Sequence, residues 1–375
     1  MVIFLAVTCG VLVIVSCLYF TTLISVDRWV RKRFVASAYG LPPREVLDGQ
    51  HPGPLPPEHR MRERHAVADA AWLGDWNAVE RYVQAAGDDW DERWHRLELL
   101  CEVARRDDAW LHAWRAAQPA NCDAATLCAL IVVFRAWEIR GSAFAHEVPA
   151  PNMNQFRAML WAAIEDARRA ALLDPANPGP WVVMVMAARG ARYGHSHFEP
   201  LWRGLTARAP FHYMGHVQAL QYWCAKWYGS HVDMMWFAFK AVRKAPVGSP
   251  LAGVYLHALS ELADGSTAFG VVMRPLTRRV LKQVAASFDR VPSDDERLPD
   301  LRHLLAHHML RSMMYGPALE QFRQIGPWCG ADPWRKKGNS VMAFEAARGR
   351  AAKLSRTRPD RASESHGAAR SRGGA

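Results

Sequence analysis

Three stretches of this 375-residue chain end alike, Leu173-Asp174-Pro175, Arg208-Ala209-Pro210 and Lys244-Ala245-Pro246, with their prolines 35 and 36 residues apart. Proline lacks the N–H that a helix interior needs, so each site reads as the stop of a helical stretch. The stretches before them, "AMLWAAIEDARRAALL", "EPLWRGLTAR" and "DMMWFAFKAVRK", carry large apolar residues among good helix formers. New starts follow: Asn177-Pro178 and Ser249-Pro250 place a capping residue before proline. Ser196-His-Phe-Glu199 and Ser230-His-Val-Asp233 have capping-box spacing and begin 34 residues apart. A two-helix unit of this length cannot bury its apolar face alone and must stack on a neighbour. With 16 tryptophans to bury and no long Val/Ile/Thr alternation after position 26, the expected class is all-α.

That period belongs to helical hairpin repeats. "LLDPANPGPW", Tyr315–Phe322 and the hairpin-like Ala70–Gln84 resemble tetratricopeptide units. The segment "HYMGHVQALQYWCAKWYGS" with "AVRKAPVGSPLA" also resembles a group of membrane-anchored actinobacterial proteins of unknown function, marked by a Trp-x-Gly-Ser corner before a Met-rich helix. The corner here is Trp227, Gly229, Ser230 and the capping Asp233. The resemblance implies a tetratricopeptide-like right-handed stack of helical hairpins and carries no activity to transfer. The expected repeat domain covers residues 59–348, clearest over 156–262.

The ends differ from the body. Residues 1–26 hold no charged side chain, long enough for a single transmembrane helix, and Arg28, Arg31, Lys32 and Arg33 follow at once. Positive charge on that flank predicts an inner-membrane anchor with the C-terminal domain in the cytoplasm. A lipoprotein box at Cys17 is the weaker alternative, because the apolar run continues nine residues past it. Residues 27–58 read as a basic flank and a stiff, extended tether, with six prolines between Ser37 and Pro57. Residues 349–375, rich in Arg, Ser and Gly, read as a disordered basic tail suited to weak contact with anionic lipid. Of the chain's net charge of +11, +8 lies between Trp334 and Ala375. The nearly neutral body therefore lacks the cation stripe of a nucleic-acid groove.

The densest chemistry is Tyr222–His231, "YWCAKWYGSH". With His212–Tyr228 placed on one helix, Met214, Val217, Leu220, Cys224 and Trp227 form an apolar seam. His212, His216, Ala219, Trp223 and Lys226 then form the adjacent stripe. Lys226 complements the helix C-terminus, Gly229 takes the left-handed stop, and Ser230 caps the next helix. On that reading Cys224 is a core thiol, and the stretch is a structural corner.

His212/His216 and His303/His307 share an i, i+4 spacing, but Tyr213 and Leu304 stand where a zinc hydrolase carries its glutamate. The seven cysteines include no CxxC, and no phosphate-loop, dinucleotide or GxSxG motif occurs. No catalytic residue, metal or cofactor is expected. In stacked hairpins the first helix of each pair lines a concave face, which would present Trp181, Arg189, His212, His216, Trp223 and Lys226 to a protein or peptide partner. The competing classes are an enzyme with a pocket between the repeats and region 265–335, and a self-associating structural subunit.

Overall fold

The computed structural model of the chain describes Ser25 and residues 28–30, 32–143, 146–263 and 275–355. The fold is all-α: among the described residues no strand forms, and the one isolated bridge joins Asp48 to Trp328. The anchor expected over residues 1–26 lies outside the described residues except for Ser25, and no helix among the described residues is long and apolar enough to cross a membrane. The chain divides into two compact units, Pro56–Asp264 and Met1–Leu55 with Gly265–Ala375. The single 59–348 domain expected from the repeats is therefore two.

The first unit runs α1 (Glu58–Trp72), α2 (Trp76–Gln84), α3 (Trp90–Ala104), α4 (Ala109–Ala117), α5 (Cys122–Arg140), α6 (Ala150–Leu173), α7 (Gly179–Ala188), α8 (His195–Arg208), α9 (Tyr213–Tyr222), α10 (His231–Lys244) and α11 (Val254–Ala263). α6, α8 and α10 stop at Leu173, Arg208 and Lys244, each two residues before its periodic proline. The helices after the first and third stops pack on their predecessors and on α9 between them: α7 lies on α6 and α9, and α11 on α10 and α9. Ser230 caps α10 by accepting from Asp233 N at 3.1 Å, and its hydroxyl donates to Asp233 Oδ2 at 2.6 Å. Ser196 does not cap α8, which starts one residue earlier with Gly194 at its N-terminus.

Buried polar groups tie the starts of the helices together. Arg93 of α3 grips Asp123 of α5 through Nη2 at 2.5 Å and Nε at 3.1 Å, and Asn177 before α7 donates to the same carboxylate at 3.1 Å. Asp91 accepts from Tyr213 N at 2.9 Å, fastening α3 to the start of α9. A continuous core containing Trp94, Trp110, Trp114, Leu130, Ile164 and Tyr222 fills the space between these helices.

The second unit contains α12 (Pro275–Phe288), α13 (Leu298–Arg311), α14 (Tyr315–Ile325), α15 (Asp332–Arg335) and α16 (Ser340–Leu354). It also contains the proline-rich segment, which is not the extended tether its composition suggests. Residues 36–39 and 44–46 are 3-10 turns, and Ala36, Ala38, Tyr39 and Leu41 are buried. Its carbonyls are hydrogen-bond acceptors for the helices: Tyr39 O from Arg323 Nε at 2.9 Å, Pro42 O from Arg348 Nη1 at 2.7 Å, and Pro52 O from His303 Nε2 at 2.9 Å. Prolines remove donors but leave carbonyls, so such a segment suits a surface of arginine and histidine donors. A Cβ on Gly330 would collide with the Gln50 carbonyl, and one on Gly53 with the Pro299 ring. The first residues of the expected tail are helical: α16 runs to Leu354 with Ala351 and Ala352 buried, and residues 356–375 lie outside the described residues.

Candidate functional site

The helix expected to reach Tyr228 ends at Tyr222, and Trp223–Gly229 is a turn. Tyr228 N donates to Tyr222 O at 3.2 Å and Gly229 N to Cys224 O at 3.4 Å, closing the corner. Gly229 does not have the expected positive φ. Its requirement is space, because an added Cβ would overlap the Trp223 carbonyl.

The shortened helix rotates the expected assignment. His212, His216 and Ala219, placed on the groove stripe by sequence, are buried, whereas Met214 and Val217 of the supposed seam are only half-buried. His212 is the cap of α9, accepting from Gly215 N at 3.1 Å. His216 donates from Nδ1 to His212 O at 2.9 Å and packs edge-on to Trp202 at 4.9 Å. Burial pulls its pKa down to about 4, so the ring is neutral at neutral pH. Trp223 packs against His195 at 5.1 Å and Phe198 at 6.0 Å, next to the Phe198–Tyr222 stack at 3.6 Å. Trp181 lies under Arg208, 4.4 Å from ring centroid to guanidinium, at a place where Gly204 leaves room for the indole. His212 and His216 are thus buried contacts between helices, and Trp181 and Trp223 are half-buried ones.

Cys224 is buried, donating to Leu220 O and touching Met234 Sδ at 3.2 Å. Burial, with Glu261 adding to it, pushes the thiol up to about 12, far from a nucleophile's range.

Arg189, Lys226 and Trp227 do come together, with residues the sequence did not single out. The Arg189 guanidinium lies 4.8 Å from the Trp137 ring and 5.9 Å from Trp227, whose indoles meet at a right angle 5.8 Å apart. Its Nη1 donates to Gln218 at 2.8 Å, while its buried Nε has no acceptor. Burial pulls Arg189 down to about 10, still charged at neutral pH. Beside it, Glu261 of α11 accepts from Lys226 Nζ at 2.6 Å and Gln221 Nε2 at 2.7 Å. Burial opposes ionisation of Glu261, but the Lys226 and Gln221 hydrogen bonds and the nearby cations hold its pKa below the ordinary value.

The result is a half-exposed strip of two indoles, a guanidinium, two amides and one ion pair across α5, α7, α9 and α11. It offers donors and aromatic faces but no nucleophile beside a base. Glu261 had a signal in the sequence, since it lies 35 residues after Lys226, one repeat on. Trp137 and Gln218 had none, because Arg189 reaches them only through the packing of α7 on α5 and α9.

The second histidine pair also has structural work. His303 donates to Pro52 O and accepts from Trp334 Nε1 at 2.8 Å, and no group of metal-ligating side chains occurs among the described residues. A comparison with protein-family models finds no match, and a comparison with curated proteins finds none either.

Proposed function

We propose that this chain is a membrane-tethered, cytoplasmic interaction module whose helix pairs stack in the tetratricopeptide manner and capture an extended protein or peptide segment. The observation that carries the reading is the strip itself: Arg189 flanked by Trp137 and Trp227, with Gln218 and the Lys226–Glu261 pair alongside. Indole faces and amides suit the alternating polar and apolar groups of a peptide backbone. The apolar, uncharged residues 1–26 and their cationic flank support the tether and its orientation. The proposal assigns no reaction to the chain.

A photoreactive amino acid at position 226, activated in native membranes, tests this directly. The expected outcome is crosslinking to one predominant partner, reduced at least tenfold by Gln218→Ala with Trp227→Ala at unchanged helix content. Equal capture by that double variant would overturn the strip as the binding surface. A self-associating subunit is the second reading, favoured by α10, where Val232 is 77 % and Trp236 57 % exposed. Light scattering of the purified chain at twice its monomer mass, reduced to the monomer by Trp236→Glu, would establish that reading instead.

A further inference from the structure

The second unit contains a small pocket lined by three cationic side chains. It has a volume of about 210 Å³ and lies among the end of α13, the start of α14, the turn after α15 and the middle of α16. Arg311, Lys337 and Arg350 line it together with His307, Tyr315 and Trp334. No Asp or Glu is among its lining residues.

Four other basic side chains of this unit have carboxylates close by: Arg302 with Asp289 at 3.7 Å, Arg323 with Glu320 at 2.9 Å, Arg335 with Asp332 at 2.9 Å, and Arg348 with Glu345. Arg311 and Lys337 have no such ion pair among the described residues. The Lys337 ammonium instead lies 5.6 Å from the Trp334 ring centroid. Placing these two cations at one cavity whose walls hold no carboxylate costs free energy, which an anion in the cavity would return.

We infer that this pocket binds a phosphate group, held by Arg311, Lys337 and Arg350 with the His307 ring at its wall. Its volume is below the roughly 300 Å³ at which pockets enclose drug-sized ligands, and so fits a phosphate or the phosphate end of a larger molecule. Guanidinium groups match phosphate oxygens in pairs, and an ammonium adds a point charge. His307 is pulled down to about 4 by burial and by Lys337 and Arg311, so at neutral pH it adds an N–H without a further proton. Lys337 is itself lowered by burial and by Arg350 and Arg311, the direction that neighbouring cations impose.

The source of the phosphate is either a soluble phosphomonoester or the headgroup of a lipid such as phosphatidic acid, and both present the same oxygens. The full chain in phosphatidylcholine nanodiscs, titrated calorimetrically with inorganic phosphate at fixed ionic strength, separates the outcomes. Expected is saturable one-to-one binding, weakened at least tenfold by Lys337→Gln and by Arg311→Gln. Lys337→Arg should restore it, and Lys282→Gln should leave it unchanged. Loss of phosphate binding when phosphatidic acid is included in the disc assigns the site to a lipid headgroup; retention assigns it to a soluble phosphate. No saturable binding in either disc would overturn the inference. Binding that survives both glutamine variants, or that Lys282→Gln weakens equally, would also overturn it.

Discussion

A methyl group on Gly229 would meet the carbonyl of Trp223, the residue that begins the corner after α9. Gly229→Ala is therefore expected to destabilise the first unit by about 1–3 kcal/mol, the range for forcing extra volume into a packed site. Urea unfolding followed by tryptophan fluorescence measures it; an unchanged midpoint would mean that the corner relaxes freely. The glycine was legible in the sequence, but its reason was not. A helix stop predicts a left-handed dihedral, whereas this glycine is required by distance across the turn. The same misplacement explains the histidines. Extending α9 past Tyr222 to Tyr228 kept the helical phase running through a turn and put His212 and His216 on the wrong face. Ser230 and Asp233, whose capping depends only on residues three apart, were read correctly because nothing distant alters that bond.

The helix pairs were legible for a related reason. The proline stops at 175, 210 and 246 act within a few residues of themselves, so the elements they close could be counted in advance. The segment 35–55 could not be read that way. Its partners, Arg323, Arg348 and His303, are 284, 306 and 251 residues away, and composition has no information about such distances. Deleting residues 35–55 is expected to leave Arg348 without Pro42 O and His303 without Pro52 O, and to uncover the core side chains beneath Tyr39 and Leu41. Losses of roughly 1–3 kcal/mol for each stranded buried donor would add to the lost burial. Hydrogen exchange should then show lost protection in α13 and α16 and unchanged protection in α7 and α9. Equal protection in α13 and α16 would show that the segment is only an accessory.

Taken as a whole, the protein buries histidines in both units. His216, His257, His303 and His307 are each pulled down to about 4, mainly by burial. His303 shows the cause in its bonds: Nε2 donates to Pro52 and Nδ1 accepts from Trp334, so a second proton would displace an indole donor. A depressed folded pKa means that the unfolded chain binds more protons between pH 6.5 and 4. The stabilisation from the neutral rings is present above pH 6.5 and is lost as the pH falls towards 4. Between about pH 7.5 and 5.5 the expected loss is on the order of 1 kcal/mol per histidine, before most carboxylates titrate. Urea midpoints at the two pH values measure the loss. Replacing His303 with glutamine should remove part of the pH dependence, and a slope unaltered by that change would place the proton uptake elsewhere.

Residues 35–55 also impose an order of events on synthesis. At roughly 5–20 residues per second, the ribosome needs on the order of ten seconds to a minute to make the roughly 250–300 residues that separate this segment from its partners. The helices of the first unit are complete during that interval and can close on themselves, as contacts of short sequence separation do. The carbonyls of Pro52, Tyr39 and Pro42 wait, exposed, until α13, α14 and α16 in turn leave the exit tunnel. A message truncated before α16 would thus release a finished first unit beside an N-terminal segment whose Pro42 carbonyl is unclaimed, a ready handle for chaperones or proteases.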